Sequence, residues 1–170
     1  NIEDKVNIAL VDIYSHIKRQ LSILKIAGVF FGTKGDFSVL SGKSKSKKTF
    51  FLTLLVASFL SENNFINSIL KTQISDGKVL YFDTEQSSYH VQKVGKRIVK
   101  MTGLKKGNNK LKLYGLRKYS PLERLQIIEY VIYNNKTDLI IIDGIADLIN
   151  NGYNDEADSI MIASKLLKWS

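Results

Sequence analysis

The chain is 170 residues long, 44% hydrophobic and 24% charged, with a formal net charge of +9. A domain of this length buries about 70% of the surface its unfolded chain exposes, so a real core is expected and neither disorder nor a repeat array is. With no cysteine and only two histidines, His16 and His90, disulfides and thiolate metal sites are excluded and a zinc site is poorly served.

In chain order, Val6, Leu10, Ile13, Ile17, Leu21 and Leu24 recur every three or four residues, which predicts an opening helix ended by Gly28 and packed on the core. Gly32 and Gly35 punctuate a turn before a short strand at Phe37 to Leu40. Thr49 to Leu60 is apolar nearly all round, as in a helix buried on several sides and ended at Asn63-Asn64. Asp76-Gly77 is a turn, followed by a buried strand from Lys78 to Asp83 and a helix from Tyr89 to Met101 closed by Gly103. Lys110 to Leu116 predicts a third strand, and Ser120-Pro121-Leu122-Glu123 opens a helix to about Tyr133 with a capping box. Asp138 to Asp143, apolar between its aspartates, predicts a central parallel strand, and Ser159 to Trp169 a closing helix. Strands alternating with helices at this spacing give an α/β fold of three layers with a mainly parallel sheet. The expected division is a lead-in over residues 1–31 and a core over 32–170.

No mainly apolar run approaches the roughly 20 residues of a membrane-spanning helix, the longest being Phe50 to Leu60. The N-terminus lacks the basic start and apolar block of a signal peptide, so a cytoplasmic protein is expected.

The loop between the predicted strand at Phe37 and the helix at Thr49 carries the chemistry. Aligned to the P-loop pattern G-x-x-x-x-G-K-[ST], Gly42 is the first glycine, Lys48 the lysine and Thr49 the hydroxyl, while Lys47 stands where the second glycine belongs. A loop joining a strand to a helix N-terminus aims successive backbone N–H groups at one anion, and the helix dipole adds positive potential. Lys48 would reach the β- and γ-phosphates of ATP and Thr49 would ligate Mg²⁺; the alternative is a basic turn. Asp143 closes an aliphatic strand in the manner of a Walker B aspartate serving Mg²⁺. Gly144 follows it, so the glutamate many ATPases carry there is absent. Glu85, after the strand that ends at Asp83, is placed to polarise the attacking water; alternatively it is a first-turn carboxylate favoured by a helix dipole.

The order of loop, Tyr81-Phe-Asp-Thr-Glu85 and Leu139-Ile-Ile-Ile-Asp143-Gly resembles the RecA-like ATPase core. Gly35-Asp-Phe-Ser, Ser41-Gly-Lys-Ser-Lys-Ser-Lys-Lys-Thr-Phe50 and Asp143-Gly-Ile-Ala-Asp-Leu148 are similar to the RepA-type, primase-helicase-associated ATPases of bacterial plasmids and mobilisable transposons. The resemblance covers roughly Gly32 to Ser170. It implies that Gly42, Lys43, Ser44, Lys45, Ser46, Lys47, Lys48, Thr49 and Phe50 bind ATP. It further implies that Thr49 and Asp143 hold Mg²⁺, that Lys48 and Glu85 are catalytic, and that the protein is a helicase-like, DNA-dependent homo-oligomer, a hexamer in the family. A RecA-like core also needs a strand beyond those predicted here, so the last strand or strands are expected to be missing from this chain.

Asp147 is expected to cap a following helix or to join the metal's outer shell, Arg117 and Lys118 to meet phosphate or a neighbouring subunit or to lie on the surface, and His90 to be structural. Lys105, Lys106, Lys110 and Lys112, with Arg97 and Lys100, form the best nucleic-acid candidate, against a plain solvated basic loop. Two other functions fit parts of the pattern: a non-catalytic DNA-binding module with a phosphate-gripping loop, and a P-loop kinase. The absence of an Arg-rich lid after the third strand weighs against the kinase.

Overall fold

A computed structural model describes residues 1–18, 20–43, 45–61, 70–72, 74, 76–149 and 156–170. Helices α1 (Ile2–Ala9), α2 (Lys48–Leu60), α3 (Ser88–Thr102), α4 (Pro121–Tyr133) and α5 (Glu156–Trp169) accompany strands β1 (Ser22–Ile26), β2 (Val29–Thr33), β3 (Leu70–Lys71), β4 (Val79–Asp83), β5 (Leu111–Gly115) and β6 (Leu139–Asp143). A 3₁₀ turn over Ile145–Leu148 follows β6. The parallel sheet has the order β5-β4-β6, and β4 is buried along its whole length. Alternation along β4 divides the core. Val79 and Tyr81 face α2 and α3 with Leu55, Val56, Phe59, Val94 and Ile98, while Leu80 and Phe82 face α4 and α5 with Ile128, Ile162 and Trp169. These are the three layers expected.

Local signals account for the helices. Ser120 and Glu123 form the capping box with Pro121 at the first helical position, and Gly103, at φ 72°, ends α3 with its N–H on Val99 O at 2.9 Å. The Asn63-Asn64 stop lies outside the described residues; α2 ends at Leu60 with Ser61 extended.

Three expectations are corrected. The opening helix stops at Ala9 and buries none of its residues, so it is not the core-packed helix through Leu24. Leu24 instead belongs to β1, which pairs antiparallel with β2 across Ala27 and Gly28, both at positive φ (49° and 82°). That is the backbone of a two-residue hairpin turn whose twist matches the strands. The second sheet, β2-β1-β3, is therefore antiparallel, and Leu24 delivers it to the α2 side of the core. Phe37 to Leu40 is not a strand: it pairs with no strand among the described residues, and Phe37 and Val39 are exposed. Finally, the central parallel strand is β4, not β6: β4 pairs with both β5 and β6, whereas among the described residues β6 pairs with β4 alone.

Candidate nucleotide and metal site

Parallel strands in one register bring their C-terminal ends together, and here Asp83 lies opposite Asp143. Asp143 shares its face with Ile141, the face toward α2. The first turn of α2 meets it there: Thr49 Oγ1 donates to Asp143 Oδ2 at 2.7 Å across 94 residues of sequence. Tyr81 OH donates to the same oxygen at 2.9 Å. Burial, with the Asp143 carboxylate a smaller contributor, pushes the Tyr81 phenol far above its ordinary value, so it is a fixed donor.

The loop closes on itself before α2. Lys48 Nζ donates to Gly42 O at 2.9 Å and Lys43 O at 3.2 Å, and Ser46 N–H donates to Lys43 O at 3.2 Å. A Cβ on Gly42 would stand 2.8 Å from Ser46 Oγ, so a larger residue there would have to turn that hydroxyl aside. Ser44 lies outside the described residues. Lys47 takes the left-handed conformation, φ 62° and ψ 27°, at the N-cap of α2, and Lys45 also has φ 62°. The second-glycine backbone is thus present with a lysine in it, at a cost of about 1 kcal/mol. Lys47→Gly is expected to raise the free energy of unfolding by about 0.5–1 kcal/mol in urea titrations; a lower midpoint would show that the lysine side chain stabilises the loop more than its backbone costs.

No acidic residue stands in the first turn of α2, and Lys43, Lys45, Lys47 and Lys48 cluster at the positive end of its dipole. Such a concentration of like charge is stabilised by an anion. Phe50 is half-exposed beneath the Arg97 guanidinium, 5.6 Å from its ring centroid. Glu85 is exposed, and its Cγ lies 2.8 Å from where a Gly144 Cβ would be, next to the end of β6. Its carboxylate has no hydrogen-bond or ion-pair partner among the described residues. Lys48, Thr49, Glu85 and Asp143 are therefore gathered around one end of the parallel sheet.

Of the other expected residues, some lie beside this group and some away from it. Asp147 is the first-turn carboxylate of the short 3₁₀ helix that follows β6. Its Oδ2 accepts from Thr84 Oγ1 at 2.9 Å and stands 3.3 Å from where a Gly144 Cβ would be, beside Glu85 at the same end of the sheet. Arg117 and Lys118 are exposed after β5, and His90 Nδ1 pairs with Ser87 Oγ at 3.0 Å, a local contact. Lys105, Lys106, Lys110 and Lys112 lie at the start of β5, the far end of the sheet from Asp143. Of these, Lys110 is bridged to Asp76 at 2.8 Å and Lys112 is bonded to Asn135 at 2.6 Å. Sequence reasoning missed Tyr81 as a donor to Asp143, reading it as core only.

The donor set fits a hard cation: a hydroxyl and a carboxylate, all oxygen, with no group of three or more His, Cys, Asp or Glu among the described residues. Mg²⁺ needs no more, since it is held by one or two carboxylates together with phosphate oxygens. No helix among the described residues is long and apolar enough to cross a membrane.

A parallel α/β sheet with a lysine-bearing loop entering a helix N-terminus, beside a strand-ending aspartate, defines a P-loop NTPase-like fold. The chain belongs to the AAA domain family, whose model matches residues 29–170, and is thus an ATPase-type domain of the P-loop class. Comparison with curated proteins and with solved structures returned no match.

Proposed function

We propose that this is a Mg²⁺-dependent, ATP-hydrolysing RecA-like domain of the RepA type, with residues 32–170 as its core. It couples hydrolysis to DNA during replication or transfer of a mobile element, as a homo-oligomer. The observation that carries the ATPase reading is the Thr49–Asp143 contact, which joins the loop to the end of β6 as a shared Mg²⁺ site requires. Bound Mg²⁺ supplies charge neutralisation at the β- and γ-phosphates. Lys48 leaves the Gly42 and Lys43 carbonyls to meet phosphate, backbone N–H groups at the start of α2 orient the anion, and Glu85 takes a proton from the attacking water. A net charge of +9 favours a polyanionic partner, and the resemblance of Ser41 to Phe50 and Asp143 to Leu148 supports the RepA-type assignment.

The test of the DNA reading is phosphate release from ATP with and without single-stranded DNA over a series of salt concentrations. Stimulation by DNA that fades with salt is expected. DNA binding indifferent to ATP and Mg²⁺ would favour a binding module, and a phosphorylated acceptor in place of free phosphate would mean a kinase.

A further inference from the structure

Asp83 is nearly fully buried, 1% exposed, yet only half of its carboxylate is used. Oδ1 accepts the backbone N–H groups of Glu85 at 3.1 Å and Gln86 at 2.7 Å, shaping the turn that carries Glu85. Oδ2 is buried without a hydrogen-bond partner among the described residues. Two residues beyond Tyr81 on β4, Asp83 shares the face from which Tyr81 reaches Asp143, and Asp143 is its partner in the parallel register. Adjacent strands are about 4.8 Å apart, so two buried carboxylates lie side by side. No ion pair to either is present among the described residues, and Lys48 is turned to its own loop. An unpartnered buried acceptor beside a second carboxylate is costly unless something positively polarised comes between them.

We propose that Asp83 is a positioning residue of the hydrolysis site: Oδ1 sets the Glu85 turn, while Oδ2 accepts a hydrogen bond from a water in the shell of the Mg²⁺ held by Thr49 and Asp143. One residue thereby ties the placement of the water-activating carboxylate to the presence of the metal. The proposal rests on the ATPase reading, and its test separates the two. Asp83→Asn and Asp83→Ser both retain an oxygen for the turn N–H groups and lose the second carboxylate oxygen. Mn²⁺, in place of Mg²⁺, is titrated by electron paramagnetic resonance in the presence of ADP, and ADP affinity is measured separately without metal. Both variants should bind Mn²⁺ about 10–100-fold more weakly, as loss of an outer-shell partner does, with metal-free ADP affinity unchanged. Unchanged Mn²⁺ affinity in both would overturn the proposal, as would an equal loss of metal-free ADP binding, which would make Asp83 a purely structural cap. Wild-type protein that takes up neither ADP nor Mn²⁺ would overturn the ATPase reading itself.

Discussion

Glu85→Gln is expected to slow ATP hydrolysis about 10²–10⁴-fold while ATP·Mg²⁺ binding stays within a few-fold of wild type. The substitution keeps the size of the side chain and its place against Gly144, and it removes only the capacity to accept a proton. The turn beneath it is held by backbone N–H groups on Asp83, which glutamine leaves untouched. A general base and a substrate-binding residue are therefore separable here: the former affects turnover, the latter affinity. Single-turnover phosphate release alongside equilibrium ATP binding makes the distinction. Full-rate hydrolysis by the variant would remove Glu85 from the mechanism, and parallel loss of binding would make it a binding residue.

Gly144→Ala is expected to destabilise the fold by about 3–5 kcal/mol, a large share of the 5–15 kcal/mol typical of a domain. Two effects combine. The backbone is at φ 99°, outside what an alanine tolerates comfortably, and the new Cβ would lie 2.1 Å from Thr84 Oγ1 and 2.8 Å from Glu85 Cγ. Thr84 has little freedom to yield, because its hydroxyl lies within hydrogen-bond distance of Asp143 O, Gly144 O and Asp147 Oδ2. Gly103→Ala is the control: its φ is 72° but nothing stands within 4 Å, so it should cost only about 1 kcal/mol. Urea denaturation of the two variants measures the difference. Equal costs would mean that the turn after β6 relaxes freely.

What could be read from the sequence was what local chemistry decides. Caps and stops such as Ser120-Pro121, Glu123 and Gly103 act within one turn, and they placed the ends of α3 and α4 closely. The spacing from Gly42 to Thr49 and the aliphatic approach to Asp143 could be read for the same reason: both are short-range patterns that a phosphate and a metal require. The opening segment misled because Ile13, Ile17, Leu21 and Leu24 continue the helical spacing beyond Ala9, where the helix stops. The Ser22–Ile26 and Val29–Thr33 runs, split by Ala27-Gly28, carried the competing hairpin signal. Phe37 to Leu40 has a strand's composition, but a strand exists only where another pairs with it, which composition does not record.

The finer parts of the site depend on the register of β4 against β6 and on which face each residue takes. Tyr81 touches Asp143 only because the two strands run parallel with Asp83 opposite Asp143. Asp83 is distinguished from Asp143, the other buried strand-ending aspartate, by its unpartnered buried oxygen, a property of the folded chain. Asp147 lies only four residues after Asp143, but its bond to Thr84 and its place beside Gly144 follow from the fold of the turn after β6, which spacing does not record.

The proposed function stands or falls with ATP binding at the loop before α2, where a lysine takes a glycine's place. The most direct measurement is calorimetric titration of ATP, with and without Mg²⁺, into wild-type protein and Lys48→Ala. Wild type is expected to bind more tightly with Mg²⁺ than without it, and Lys48→Ala to bind about 10–100-fold more weakly, the cost of losing charge-assisted hydrogen bonds to phosphate. Equal affinity in the two proteins, or wild-type binding indifferent to Mg²⁺, would contradict the proposed function.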